Sequence, residues 1–484
     1  MAPGEPSPEP SPEPDALPNR ALPQGVLGWL ELSSPRRLAL FLGVCAGAAA
    51  LTWAVPEDPA LGEAARRALF MLLVAAGLWI TEAIPAFAVG IGVIALQVLL
   101  LGDPRDPDGA WERQVLVLGH PLIWLFFGGL VLAAGMSRTG VDRWLALHAL
   151  ARFATRPRAL VAAVAGIAFV LSMIMSNTAT TAMMLALIAP LIADRDRSDR
   201  FAATLVLAVP LGANLGGMGS LVGTPPNAIA VGVLAEQTGT FISFARWFTL
   251  GLPPALLLAA ALIGLLLLRL RGLPPMNALA VTAAGARQAR AAHWEVLVVA
   301  VTLITTLGLW LTQDLHGLPT PVVAVVPVVL LTATGILDVD AFRRLSYDVL
   351  FLLAGGLALG QAIHDTGLAA WIVGPLTGTA LPDALFVFLA GSVAVLLSNV
   401  MSNTAAANVL VPLVLSASVS AGTPAAITVA LCASAAMALP VATPPNALAH
   451  ATGRLAARDF LLIGTVSGVL TPLIATAWIR WMLS

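Results

Sequence analysis

The sequence has no lysine. All 25 of its basic residues are arginine, which marks codon usage rather than chemistry. Charge is scarce altogether. Asp, Glu, Lys and Arg make up 11% of the 484 residues, against roughly 25% in an average soluble domain. A surface that sparse in charge cannot face water. With 58% hydrophobic residues and a mean hydropathy of +0.90, the chain reads as a polytopic membrane protein. Its net charge of −1 leaves no basic footprint for nucleic acid. Only two cysteines occur, Cys45 and Cys432. Both lie in apolar runs, so they read as buried thiols, and a disulfide framework is excluded. No phosphate-binding loop marks an ATP-driven pump. No Gly-x-Ser-x-Gly with a partnered histidine appears, and Tyr347-Asp348 lacks a Gly-x-Gly-Asp partner, which argues against an intramembrane hydrolase. The six histidines show no metal-ligand spacing. His450 could influence proton sensitivity but reads first as structural, and Arg138 and His364-Asp365 read as interfacial.

What is abundant is long apolar sequence. Residues 1–35 form a Pro/Glu-rich tail, expected to be disordered and without a cleavable signal. Apolar runs follow near 38–55, 66–82, 84–102, 121–137, 159–192, 201–235, 249–269, 293–312, 320–337, 348–363, 383–418, 425–456 and 460–482. A spanning helix needs about 20 apolar residues, so most runs fit one helix and three are too long. Cytoplasmic loops carry the excess of arginine. Arg36-Arg37 puts the tail inside. Arginines flank both ends of 159–192, at 138–158 and at 195–200, so that run enters and leaves on the inside. It reads as a re-entrant hairpin. Counting forward, 383–418 starts and ends outside with no arginine at either end, and reads as a second hairpin from the opposite face. Arg66, Arg67, Arg105 and Arg113 are the exceptions to this scheme.

The tip of each expected hairpin carries the same tripeptide, Ser176-Asn177-Thr178 and Ser402-Asn403-Thr404. Each is followed by a proline break, Gly223-Thr224-Pro225-Pro226-Asn227 and Ala442-Thr443-Pro444-Pro445-Asn446. FGGLVLAAGMSRTGVDRW at 127–144 also resembles AGGLALGQAIHDTGLAAW at 354–371, at nearly the offset of the tripeptides. The halves therefore read as repeats. An odd number of spans in the repeated unit inverts the second copy, a recurrent plan of secondary transporters. The domains expected are a first repeat over 36–270 with hairpin 159–192, a cytoplasmic linker over 271–292, and a second repeat over 293–484 with hairpin 383–418.

A hairpin tip exposes N–H groups at the start of its second arm, which suit an anion. It also exposes carbonyls at the end of its first arm, which with hydroxyl and amide oxygens suit a hard cation such as Na+. Ser172 and Ser398 stand four residues before Ser176 and Ser402. On a helix, positions i and i+4 share a face, so each arm is expected to offer two hydroxyls to one side of a site. Asn227 and Asn446 are expected to cap the helices that resume after the breaks. Any one of these polar residues alone is more often glue between helices. The duplicated set, in the same order, is not.

The doubled Ser-Asn-Thr and Thr-Pro-Pro-Asn segments resemble those of the divalent anion/sodium symporter family, over nearly the whole chain after residue 35. The resemblance implies an all-α membrane protein of two inverted repeats, with 11 transmembrane helices and two re-entrant hairpins. It implies scaffold and transport domains of the elevator type, in a homodimer. It implies one sodium site from Ser172, Ser176, Asn177 and Gly223, and another from Ser398, Asn403, Ala442 and the backbone of Met401. It implies substrate carboxylates at Asn177, Thr178, Thr224, Pro225, Asn403, Thr404, Thr443 and Pro444. Thr224, Ser398 and Met401 depart from the common residues of that family. The expected activity is Na+-coupled symport of succinate, fumarate or malate across the bilayer of a bacterial inner membrane. The alternatives are a sodium-independent exchanger, a carrier of citrate, sulfate or phosphate, or an anion channel.

Overall fold

The computed structural model describes residues 34–56, 58–102, 110–153, 155–272, 292–374, 381–418 and 420–483. The expected tail and the expected linker fall outside these residues except at their ends. The described residues form helices and no strands. Nine helices among them are long and apolar enough to cross a membrane.

The first half opens with α1 (Ser34–Ala54), α2 (Glu63–Thr81), α3 (Ala86–Leu100) and the short α4 (Ala110–Val115). Next come α5 (Pro121–Thr139) and the surface helix α6 (Val141–Ala151). Helices α7 (Pro157–Ser172) and α8 (Asn177–Ile192) are joined by a four-residue tip. Helices α9 (Arg200–Met218) and α10 (Pro225–Thr238) are separated by a break, and α11 (Phe244–Leu268) closes the half. The second half starts at α12 (His293–Leu311), α13 (Gln313–His316), α14 (Thr320–Val323), α15 (Val325–Ala333) and α16 (Val339–Arg343). It then repeats the earlier order: α17 (Tyr347–Asp365) with α18 (Leu368–Val373), the tip between α19 (Asp383–Val400) and α20 (Asn403–Ala417), the break between α21 (Gly422–Ser434) and α22 (Pro444–Ala451), and α23 (Ala457–Leu483).

Three runs expected to be single spanning helices are shorter or divided. Helix α3 stops after 15 residues. The 320–337 run is divided at Ala324, with Pro321 and Pro327 in the first turns of its two pieces. The 425–456 run is interrupted between Ser434 and Pro444. Proline lacks the backbone N–H and clashes with the turn before it, so apolar composition overstated continuous length in the last two.

Two apolar clusters organise the packing. The smaller joins α2 and α3 to one face of α17 and to Met401, Ala405 and Ala406 beside the second tip. The larger surrounds α9, whose side chains are buried along its whole length after the first turn. Helices α7 and α9 meet backbone to backbone. A methyl group at Gly212 or Gly216 would stand 2.1 Å from the carbonyl oxygens of Ala165 and Phe169. Such close approach through small residues is how helices associate in a bilayer, where apolar burial alone gives no drive.

Polar ties join the halves at their ends. Arg454, after α22, donates to the carbonyls of Ile192, Arg195 and Asp196 at the end of α8. Arg269 pairs with Asp459 at 2.5 Å, and Trp478 Nε1 donates to Thr249 O at 3.2 Å. Arg138 pairs with Asp338 at 2.6 Å. The hydrogen bond from that guanidinium holds the Asp338 carboxyl down at about 2. Cys432 is buried as expected, but Cys45 is only half-buried, on α1.

Candidate functional site

Four helices begin at the paired motifs, at Asn177, Pro225, Asn403 and Pro444. Four end just before them, at Ser172, Met218, Val400 and Ser434. The sequence dictates each break. Ser176 and Ser402 are N-caps, accepting from Ala179 N and Ala405 N at 3.2 Å. Pro225-Pro226 and Pro444-Pro445 fill the first helical positions, where the missing N–H costs nothing.

In the first half, Ser172 Oγ donates to Asn177 Oδ1 at 2.6 Å. The Asn177 amide lies against Gly217, where a methyl group would meet Oδ1 at 2.6 Å. A methyl group at Gly223 would stand 2.6 Å from Gly217 O. Ser172, Asn177 and Gly223 are thus gathered around one glycine. Ser220 also donates its hydroxyl to Met173 O, fastening the tip to the break. In the second half, Ser398 Oγ is 2.7 Å from Asn403 Oδ1 and 2.9 Å from Ala433 O. Asn399 Oδ1 accepts from Ala438 N at 2.8 Å, which again fastens the tip to the break. Met401 leaves its helix in an extended conformation (φ −119°, ψ 173°) and is buried. Thr224, Thr404, Thr443 and Ala442 are buried; Thr178, Pro225, Pro444, Asn177 and Asn403 are half-buried.

Two expectations are corrected. The paired serines do not share a helical face: α7 ends at Ser172, and Ser176 lies past its end as the N-cap of α8. Ser402 likewise lies past the end of α19. Asn227 and Asn446 do not cap the helices that resume. Thr224 and Thr443 hold the N-cap positions. The Asn227 amide instead reaches back to Gly217 O (2.9 Å) and Ser220 O (2.7 Å). Asn446 reaches back to Met437 O (3.2 Å) and Leu439 O (3.0 Å). Each asparagine ties its helix back to carbonyls at the end of the segment before the break; Ser220 O and Leu439 O also accept a backbone N–H there, from Gly223 and Ala442.

The sequence reading missed Asn214. It is fully buried on α9 and donates from Nδ2 to Thr443 Oγ1 and Asn446 Oδ1, both at 3.2 Å. Asn214 sits one turn before Gly217, so α9 carries the first site's contact and the link to the second break. Its signal in sequence was one polar residue inside an apolar helix, which alone is unremarkable.

The assembled residues are all neutral. Helix N-termini carry partial positive charge and unpaired N–H groups that suit anions, while helix C-termini offer carbonyls that suit cations. Among the described residues no group of His, Cys, Asp and Glu could hold a metal ion. His120, His148, His316 and His450 have partners away from the motifs. His450 is 2.9 Å from Leu455 O, in its own turn.

The family model described as citrate transporter matches residues 63–434. The chain is 29% identical to the sodium-dependent dicarboxylate transporter of Staphylococcus saprophyticus over 425 residues, covering 80% of each chain. Counterparts in Staphylococcus aureus strains are 28% identical over the same share. Two solved transporters share the fold, each with a TM-score of 0.53: YdaH of Alcanivorax borkumensis, at 15% identity, and MtrF of Neisseria gonorrhoeae, at 12%. Each comparison covers 82% of this chain, with 98% of the first and 94% of the second.

Proposed function

The chain belongs to the citrate transporter family, and on that premise we propose that it is a secondary transporter coupling Na+ to the uptake of C4-dicarboxylates. It is a transporter, not an enzyme. The observation that carries the substrate reading is the neutrality of a site built from four helix starts and four helix ends. A dicarboxylate brings two negative charges into a membrane-buried site with no arginine among its motif residues. The carbonyls and amide oxygens beside the anion donors offer places for cations to complete it. Sodium sites at Ser172, Ser176, Asn177 and Gly223 and at Ser398, Asn403 and Ala442, with the backbone of Met401, supply that charge. The carboxylates meet Asn177-Thr178, Asn403-Thr404, Thr224-Pro225 and Thr443-Pro444. A sodium-dependent dicarboxylate transporter among the relatives supports this reading.

The movement we propose is an elevator. The inverted halves contribute α7–α11 and α19–α23 to one body, held by Asn214, Arg454, Arg269–Asp459 and Trp478. The remaining helices form the scaffold, through which two copies pair in the inner membrane. The bodies meet where α10 and α20 pack on α17. Two polar ties cross this seam: His120 Nε2 to Glu236 Oε1 at 3.1 Å, and Gln237 Nε2 to Gly360 O at 3.1 Å. The protein reconstituted in proteoliposomes is tested with labelled succinate, fumarate, malate, citrate and sulfate, with and without an inward sodium gradient. Sodium-driven succinate uptake is expected. Succinate counterflow without sodium would move the assignment to an exchanger, and preference for citrate would move the substrate class.

A further inference from the structure

We infer that Asn214 is a positioning residue that turns the Thr443 hydroxyl into a dedicated hydrogen-bond donor for a substrate carboxylate. This rests on the proposed placement of carboxylate at Thr443. The orientation of each amide follows from the network. Asn446 spends Nδ2 on two carbonyls, Met437 O and Leu439 O. Its Oδ1 must therefore face Asn214, and an oxygen there requires a nitrogen opposite. Asn214 consequently presents Nδ2, and the two protons of that nitrogen go to Asn446 Oδ1 and Thr443 Oγ1.

The consequence falls on Thr443. A hydroxyl has two acceptor lone pairs and one proton. Thr443 Oγ1 accepts from Asn214 Nδ2 at 3.2 Å and from Asn446 N at 3.3 Å. Both lone pairs are used, so the proton must point elsewhere. As an N-cap, Thr443 has no helical carbonyl four residues back to take that proton, because Leu439 O already accepts from Asn446 Nδ2 and Ala442 N. Among the described residues Thr443 Oγ1 accepts two hydrogen bonds and donates none. Thr443 is 2% exposed. A buried hydroxyl saturated as acceptor and free as donor suits an anion and cannot serve a cation.

The repeat mate lacks this device. Thr224 makes no side-chain cap bond, and Asn227 Oδ1 is buried without a partner. Counting back ten residues from Thr224 gives Asn214; counting back ten from Thr443 gives Ala433, which has no side-chain donor. Thr224 stays free to donate or accept, while Thr443 only donates. The two ends of a dicarboxylate are therefore held unequally, with the fixed donor at the second break.

A double-mutant cycle on succinate uptake at saturating sodium tests this. Thr443→Val removes the donor to a charged acceptor and should raise KM about tenfold or more. Thr443→Ser keeps the hydroxyl and should stay near wild type. Asn214→Ala should raise KM about threefold to tenfold in the wild-type background and add nothing on Thr443→Val. Thr224→Val should cost less than Thr443→Val. Because Asn214→Ala also strands Asn446 Oδ1, the melting temperature of each variant is followed in detergent, and the cycle is read from KM. Equal effects of Asn214→Ala in both backgrounds, or a Thr443→Ser as weak as Thr443→Val, would overturn this role while the transporter assignment stands. A wild-type protein that carries no dicarboxylate would overturn both.

Discussion

Gly216 and Gly217 are adjacent on α9, and substituting each with alanine should separate fold from ion binding. A methyl group at Gly216 would stand 2.1 Å from Phe169 O and 2.7 Å from Phe169 Cα. Those are backbone atoms of α7, so the two helices would have to move apart. At Gly217 the nearest atoms to the methyl group would be those of the Asn177 amide, at 2.6 Å from Oδ1 and 3.0 Å from Nδ2. A side-chain end can rotate away. The Gly→Ala gain in helix propensity, about 1 kcal/mol, offsets part of the remaining strain. The rotation breaks the 2.6 Å bond from Ser172 to Asn177, worth about 0.5–1.5 kcal/mol net. At about 1.4 kcal/mol per tenfold, the half-saturating sodium concentration should rise roughly twofold to tenfold, and further where Asn177 itself contacts the ion. The assay is a sodium titration of succinate uptake, beside thermal melting in detergent. Gly216→Ala should lower the melting temperature or fail to express, and Gly217→Ala should fold normally with weakened sodium dependence. A Gly217→Ala protein with unchanged sodium dependence would refute the placement of the first site around this glycine.

Further outcomes are expected. Asn177→Ala and Asn403→Ala should each abolish uptake while the protein keeps its melting profile; near-normal affinity in either would remove that residue from the site. A cysteine pair at 120 and 236, in a background with Cys45 and Cys432 replaced, should react with a short bis-thiol cross-linker. Because that pair crosses the seam between α5 and α10, cross-linking should stop uptake; full activity in the linked protein would mean that the seam does not slide.

Much of the site was legible in the sequence because bilayers are intolerant of stray polarity. Ser-Asn-Thr and Thr-Pro-Pro-Asn stood out against apolar runs, and the breaks fell where the prolines and tripeptides put them. The roles of single side chains were less legible. Helical periodicity put Ser172 and Ser176 on one face, but α7 stops at Ser172, because a tip must end one helix before it caps the next. Asn227 and Asn446 had the right composition for caps, yet the threonine three residues earlier holds each N-cap position and the asparagines reach back to carbonyls before the break. Asn214 was illegible because its importance lies in a partner 229 residues away. Apolar length misled at 320–337 and 425–456, where hydropathy persists through segments whose backbone does not stay helical.

The most direct test of the account is sodium-driven uptake itself. Proteoliposomes holding the purified protein, given labelled succinate outside, should accumulate it under an inward sodium gradient and lose that accumulation when choline replaces sodium. Equal accumulation in sodium and choline would contradict the claim that cations complete this neutral anion site.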